Sequence, residues 1–211
     1  MRNAFCQALV AAAARPDFVF LTGDLGFKAL EPLRDALGPR FVNAGVAEQN
    51  MVGVAAGLAR AGLRPWVYSI APFVYARPFE QIRTDVCLHH LPVVLVGNGG
   101  GYGYGVMGAT HHALEDYGVL LSLPNLSAHL PAFDADVPAV VERLFAAAGP
   151  SYLRLGLSEE PAGAAVPGYA GWRRLAAGPA GVVVAAGTLA GSLWGYCQTL
   201  PDAERPSLWV V

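Results

Sequence analysis

Charge is scarce in this 211-residue chain: 14% of its residues are charged, lysine occurs once, at Lys28, and the formal net charge is −2. That leaves no basic field to attract nucleic acid or an anionic membrane surface, and neither is expected as a partner. Cysteine is rare too. Cys6, Cys87 and Cys197 lie far apart with no CxxC spacing, which argues against a disulfide framework and for buried, reduced thiols in a cytoplasmic protein. No apolar run is long enough to cross a bilayer. The opening MRNAFCQALVAAAARP has the outline of a secretory signal, but Asn3 and Gln7 interrupt its apolar run, so a first amphipathic helix is expected instead. Repeats and low-complexity tracts are absent.

What is present is an apolar, alternating chain. Hydrophobic residues make up 54% of it, enough for a well-buried core. Near-continuous apolar segments fall at Phe18–Leu21, Pro65–Tyr68, Pro92–Val96 and Tyr152–Leu155, and helix-like stretches lie near 28–37, 47–61, 78–89, 112–121 and 135–148. Strands without a polar face imply a sheet covered on both sides. The expectation is an α/β, doubly wound, mainly parallel sheet with helices on both faces over residues 1–157. Residues 158–179, rich in Gly, Ala and Pro, are expected to be a linker, and 180–211 the start of a small α/β C-terminal domain. In such folds ligands gather at the carboxyl ends of strands, so the loops after Leu21, Phe41, Tyr68 and Val96 are the places to search.

Several segments there carry candidate chemistry. Glu48 heads a helix that is apolar from Met51 through Ala59, which predicts burial all round. An acidic residue in a first helical turn is either a plain partner of the free N–H groups or a desolvated carboxylate ready to protonate or hydrogen-bond a ligand nitrogen. Phe73, Tyr75 and Phe79 follow a strand end, where aromatic residues are more often core than walls of a ligand site. Asp24 in TGDLG either faces that site or caps the helix near Lys28. GYGVMG (103–108) has the GxGxxG form but lies about six residues beyond its strand, so it is taken as a loop whose glycines let backbone approach the active centre. His111 and His112 open the next helix. His112 and Asp116 are four apart, but two ligands do not make a metal site, and no bound metal is expected.

GVAEQNMVGVAAGLA (45–59), SIAPFVYARPFEQIR (69–83), LPVVLVG (91–97) and GATHHALEDYGVLLSLPNL (108–126) together resemble the pyrimidine-binding, C-terminal subunit of split transketolases, over roughly residues 2–160. The resemblance implies the thiamine-diphosphate-binding fold. It also implies that Glu48 pairs with N1′ of the cofactor's aminopyrimidine, so that the 4′-amino group can take the thiazolium proton. Phe73 or Tyr75 then stacks on that ring, with Arg77 and Asp24 beside the cofactor. His111 corresponds to a histidine that contacts the substrate carbonyl or hydroxyls, and Arg2 and Lys28 to substrate phosphate contacts. Three positions depart from the family: an acidic sugar-reading residue is Met107 here, a substrate-contacting histidine falls at Gly99, and a phosphate-holding arginine falls at Leu157. TGDLG also lacks the second Gly of the family's metal-binding GDG motif, and no later Asn follows in place. Mg²⁺ and the diphosphate are therefore expected on a separate diphosphate-binding transketolase N-terminal subunit, in an α2β2 heterotetramer. The activity implied is transfer of a two-carbon ketol unit from a small sugar, a ketose, to an aldehyde. The alternatives are a beta-type subunit of a 2-oxo-acid decarboxylating enzyme, or a catalytically silent interaction subunit.

Overall fold

A computed structural model describes residues 1–158, 160–163 and 165–211. Strands β1 (Phe18–Thr22), β2 (Phe41–Asn43), β3 (Arg64–Ile70), β4 (Val94–Asn98), β5 (Ser127–His129) and β6 (Ser151–Leu155) form one sheet in the order β2-β1-β3-β4-β6-β5. Every neighbouring pair is parallel. The doubly wound architecture is thus as expected.

Alternate side chains of each central strand enter two different cores, which is why these strands have no polar face. On one side Phe18, Phe20 and Trp66 pack with α1 (Arg2–Ala11), α2 (Glu31–Leu37) and α7 (Val137–Ala146) through Phe5, Leu9, Leu33 and Phe145. On the other, Val19, Leu21, Val67 and Leu95 meet α3 (Glu48–Arg60), α4 (Ala71–Ala76) and α6 (Asp116–Leu120), together with α5 (Phe79–Gln81), which runs on as the π-helix Ile82–Cys87. The three cysteines are buried and unpaired. Among the described residues no helix is long and apolar enough to cross a membrane.

Two expectations are corrected. Helix α3 is not covered all round: Gln49, Asn50, Val54 and Gly57 are exposed. The aromatic stretch after β3 is itself helical, started by Pro72 in the first turn of α4.

A second sheet follows, ordered β7-β9-β8, from β7 (Arg173–Ala176), β8 (Val182–Ala185) and β9 (Ser207–Val210), with α8 (Leu189–Thr199) against it. Strand β7 arises within the stretch expected as linker, of which Glu159 and Ala164 lie outside the described residues. The sheet packs Leu175, Ala185 and Leu208 on Ala132 and Phe133 of the first unit. A buried ion pair joins them. Arg173 donates to Asp136, whose Oδ2 also accepts the N–H groups of Ala132 and Phe133, each at 3.0 Å.

Arg173→Ala would leave Asp136 buried without its cation, and urea denaturation should show a loss of about 3–5 kcal/mol. His129, at the end of β5, is kept neutral by burial and then by the positive charge of Arg143, which push its pKa down to about 4. The unfolded imidazole, at about 6.5, takes up its proton first as pH falls. Stability present above that value is lost on the way down to pH about 4. Thermal melts should therefore fall more steeply between pH 7 and 4.5 for the wild type than for His129→Gln.

Candidate active site

Strand register brings the carboxyl ends of the sheet level. Thr22 lies beside Asn43 and Tyr68, Ile70 beside Asn98, and Asn98 beside Leu155. The loops and helix starts that follow share this edge, where an open α/β sheet takes its ligands.

Glu48 is the first residue of α3 and is only 3% exposed. Among the described residues its carboxylate accepts only from side chains and not from the free N–H groups of its helix, so simple capping does not account for it. Instead Ser69 Oγ donates to Oε1 at 3.2 Å, and Arg77 Nη1 donates to both oxygens at 2.9 and 2.8 Å. Arg77 closes α4, still in helical geometry, four residues after Phe73 and hence on the same helix face. Its guanidinium lies 3.9 Å over the Phe73 ring, a cation–π stack. The other neighbour of Phe73 is His111, edge-on at 5.2 Å, and beyond it Tyr104 meets the same imidazole at 5.7 Å. Glu48, Arg77, Phe73, His111 and Tyr104 thus form one row. At its Glu48 end the row opens on a shallow depression lined by Val46, Ala47, Gln49 and Asn50.

Tyr75 does not join the row. Two residues beyond Phe73, it points from another side of α4 into the core, and its hydroxyl donates to Glu115 Oε1 at 2.6 Å. Burial and the Glu115 carboxylate hold its phenol well above the ordinary range. Phe79 packs against the same core.

Asp24 lies at φ 56°, exposed, in a lock with Asn43. The Asn43 Oδ1 accepts the N–H groups of Asp24 and Gly45 at 3.1 and 3.0 Å, and its Nδ2 donates to Asp24 Oδ1 at 2.8 Å. Asp24 caps no helix, since α2 starts only at Glu31. Lys28 is exposed, and its N–H is taken by Glu31 Oε1 at 2.7 Å. Among the described residues no hydrogen bond or ion pair ties its ammonium to the row. Arg2 lines a separate cleft of about 380 Å³ with Asn98, Gly99, Tyr104 and Leu157. Tyr104 is therefore the residue common to the row and the cleft.

Two glycines at the start of the glycine-rich stretch make room for side chains of this chain. A Cβ at Gly97 would come within 2.3 Å of the Tyr152 hydroxyl, and one at Gly100 within 1.8 Å of Arg154 Nε. The glycines make room for two side chains that converge on buried Asp116, which accepts from Tyr152 at 2.6 Å and pairs with Arg154 at 3.3 Å. Burial raises the Asp116 pKa, opposed by those two partners. Asp116 is thus turned away from His112, whose Nε2 lies 2.9 Å from the Gly105 carbonyl oxygen. Both histidines precede α6 rather than open it. Ser69, Asn43 and Tyr104 were missed in the sequence. The one available signal was Ser69, a hydroxyl near the carboxyl end of an apolar strand.

Chemically, the row offers a buried carboxylate facing an aromatic wall, with a planar nitrogen-bearing group held between them. That set suits a flat nitrogen heterocycle.

The model of the transketolase pyrimidine-binding domain matches residues 1–163. The chain is 35% identical over 162 residues to one subunit of an apulose-4-phosphate transketolase of Phocaeicola vulgatus, covering 76% of this chain and 52% of that protein. It is 31% identical over 157 residues to a 6-deoxy-6-sulfo-D-fructose transketolase subunit of a Clostridium species, covering 74% and 49%. The chain therefore spans about half the length of these curated relatives. Among solved structures it superposes on a split-gene transketolase, an inactive beta4 tetramer, with a TM-score of 0.85 and 30% identity, covering 99% of this chain and 69% of that one.

Gly100→Ala should displace Arg154 from Asp116 and cost about 1–3 kcal/mol by overpacking, read by chemical denaturation. An unchanged midpoint would contradict the role given to this glycine.

Proposed function

The chain belongs to the transketolase pyrimidine-binding domain family, and on that footing we propose that it is one subunit of a split, thiamine-diphosphate-dependent transketolase-like enzyme. Its reaction is transfer of a two-carbon ketol unit from a ketose to an aldehyde acceptor. The observation that carries this reading is the sandwich at Glu48. A planar, nitrogen-bearing cation, the Arg77 guanidinium, is stacked 3.9 Å over Phe73 and hydrogen-bonded to a carboxylate that is 3% exposed. The aminopyrimidine of thiamine diphosphate is a flat group with the same two requirements, so the residues fit it. Glu48 would hold N1′ and Phe73 would face the ring, with Arg77 and Asp24 at its margin. When bound, the cofactor supplies an acidic carbon able to carry the transferred unit.

This chain's own contribution begins with a proton. Glu48 holds it at N1′, and burial under α3 keeps water from competing for that nitrogen. His111, on the far side of Phe73, faces the substrate's carbonyl and hydroxyl oxygens. Arg2 meets an anionic substrate end from the neighbouring cleft. The names of the two relatives specify a phosphorylated and a sulfonated sugar, and an anionic terminus is the feature such substrates share. Lys28, exposed on its own loop, stands as a further contact for that group.

Mg²⁺ and the diphosphate belong on a complementary diphosphate-binding transketolase N-terminal subunit, in an α2β2 heterotetramer. Three observations support that division: TGDLG lacks the GDG pattern, the two matching relatives are by name single subunits of transketolases, and the split-gene homologue made of β chains alone is inactive. Exposed Gln49, Asn50 and Val54 beside Glu48 offer a face for that partner.

With the partner subunit, thiamine diphosphate and Mg²⁺ present, Glu48→Gln should lower turnover at least about 10²-fold while circular dichroism stays near that of the wild type. The same assay should give aldehyde-acceptor products from a ketose and none from pyruvate. Activity of Glu48→Gln within a few-fold of wild type would refute the assignment.

A further inference from the structure

We infer that Tyr104, steadied by Asn98, is the residue with which this chain reads the sugar: its hydroxyl donates to an oxygen of a ketose whose anionic end lies at Arg2. This rests on the transketolase-like reading and adds to it the residue that sets substrate choice.

The geometry begins at Gly99. It sits at φ 73°, in the region glycine favours, and a Cβ there would lie 2.1 Å from the Tyr104 ring. The space that a side chain at position 99 would need is therefore filled by Tyr104, which arrives from five residues further along the loop. The histidine that the family resemblance places at position 99 is replaced here by a phenol. Asn98, the last residue of β4, donates its Nδ2 hydrogen to the phenolic oxygen at 2.9 Å. A hydroxyl that accepts in this way keeps its own hydrogen to give. The ring also backs His111 at 5.7 Å, so one side chain touches both the histidine of the row and the cleft that holds Arg2.

Charge in that cleft is sparse. The ammonium of Met1 is spent on Asp134 at 2.6 Å, and Leu157 offers an apolar wall that is 80% exposed. Arg2 remains as the anion contact. A phenol, an amide, one guanidinium and a leucine line the cleft together, a set that suits a hydroxylated chain with a single anionic terminus.

The test uses the assembled complex with its cofactors, glycolaldehyde as an acceptor with no sugar chain, and three donors: D-xylulose 5-phosphate, D-fructose 6-phosphate and 3-hydroxypyruvate. The last delivers the same two-carbon unit but releases carbon dioxide in place of a hydroxylated aldehyde, so it presents no sugar hydroxyl to Tyr104. Tyr104→Phe, which keeps the ring, should raise KM for at least one ketose about five- to ten-fold, with kcat for 3-hydroxypyruvate within about two-fold of wild type. Unchanged ketose KM values would overturn the inference, and so would an equal loss with all three donors, which would mark Tyr104 as structural only. A wild-type complex that uses 3-hydroxypyruvate and neither ketose would overturn the inference while leaving the cofactor reading standing. Inactivity of the wild-type complex with every donor would overturn that reading, and the inference with it.

Discussion

A carboxylate withdrawn from water must find partners, because an unpaired buried charge costs several kcal/mol. Glu48 finds them in Arg77 and Ser69, which reach it at the head of its own helix. These groups come from three successive elements: α3, which follows β2; the end of β3; and α4. For one carboxylate to reach all of them, β3 must carry Ser69 to the sheet edge and α4 must turn at once after it. Pro72 allows that immediate start, and the helix spacing from Phe73 to Arg77 then presents ring and guanidinium together. The doubly wound sheet is the scaffold that holds these ends within a few ångströms of one another.

A second buried carboxylate organises the opposite end of the site. Asp116 draws Tyr152 and Arg154 across from β6, and those side chains occupy the room that Gly97 and Gly100 leave free. Arg154 also donates to the Ala113 carbonyl at 2.7 Å, and Gly101 bridges to Ala113. The start of the glycine loop and the residues before α6 are thereby tied to the sheet, which fixes the distance between Tyr104 and His111. Each end of the row is therefore anchored by a separate buried acid.

The sheet was legible because burial on both faces leaves a near-continuous apolar run in the central strands, such as Pro92–Val96, broken in β6 by Arg154. Edge strands leave little trace. β2 and β5 are three residues each, too short for a pattern, and β7 follows a Gly- and Pro-rich stretch and carries two arginines, one of them buried only because Asp136 awaits it. At the site, Glu48 stood out because an acid ahead of nine small or apolar residues is unusual. The separate fates of Phe73 and Tyr75 were not legible. They depend on α4 being helical, and a helix of six residues opened by proline has no periodicity to read. The glycines were legible as glycines but not in their purpose, since Tyr152 and Arg154 lie some fifty residues away in sequence and meet them only through the parallel register of β4 and β6.

These contrasts bear on how such a chain can change its substrate. The Glu48 end is buried and coupled to helix starts, so substitutions there disturb packing and charge together. The cleft end is different: Leu157 is exposed, and Arg2 projects from the first turn of α1. Replacing an exposed side chain away from caps and cores seldom shifts stability by more than about 0.5 kcal/mol. Side chains proposed to meet the far end of a sugar can thus vary at little cost to the fold, while those proposed to meet the cofactor ring cannot. Tyr104 lies on the boundary, its ring packed on Gly99 and its hydroxyl in the cleft. There the side chain proposed to select a sugar becomes part of the architecture around His111.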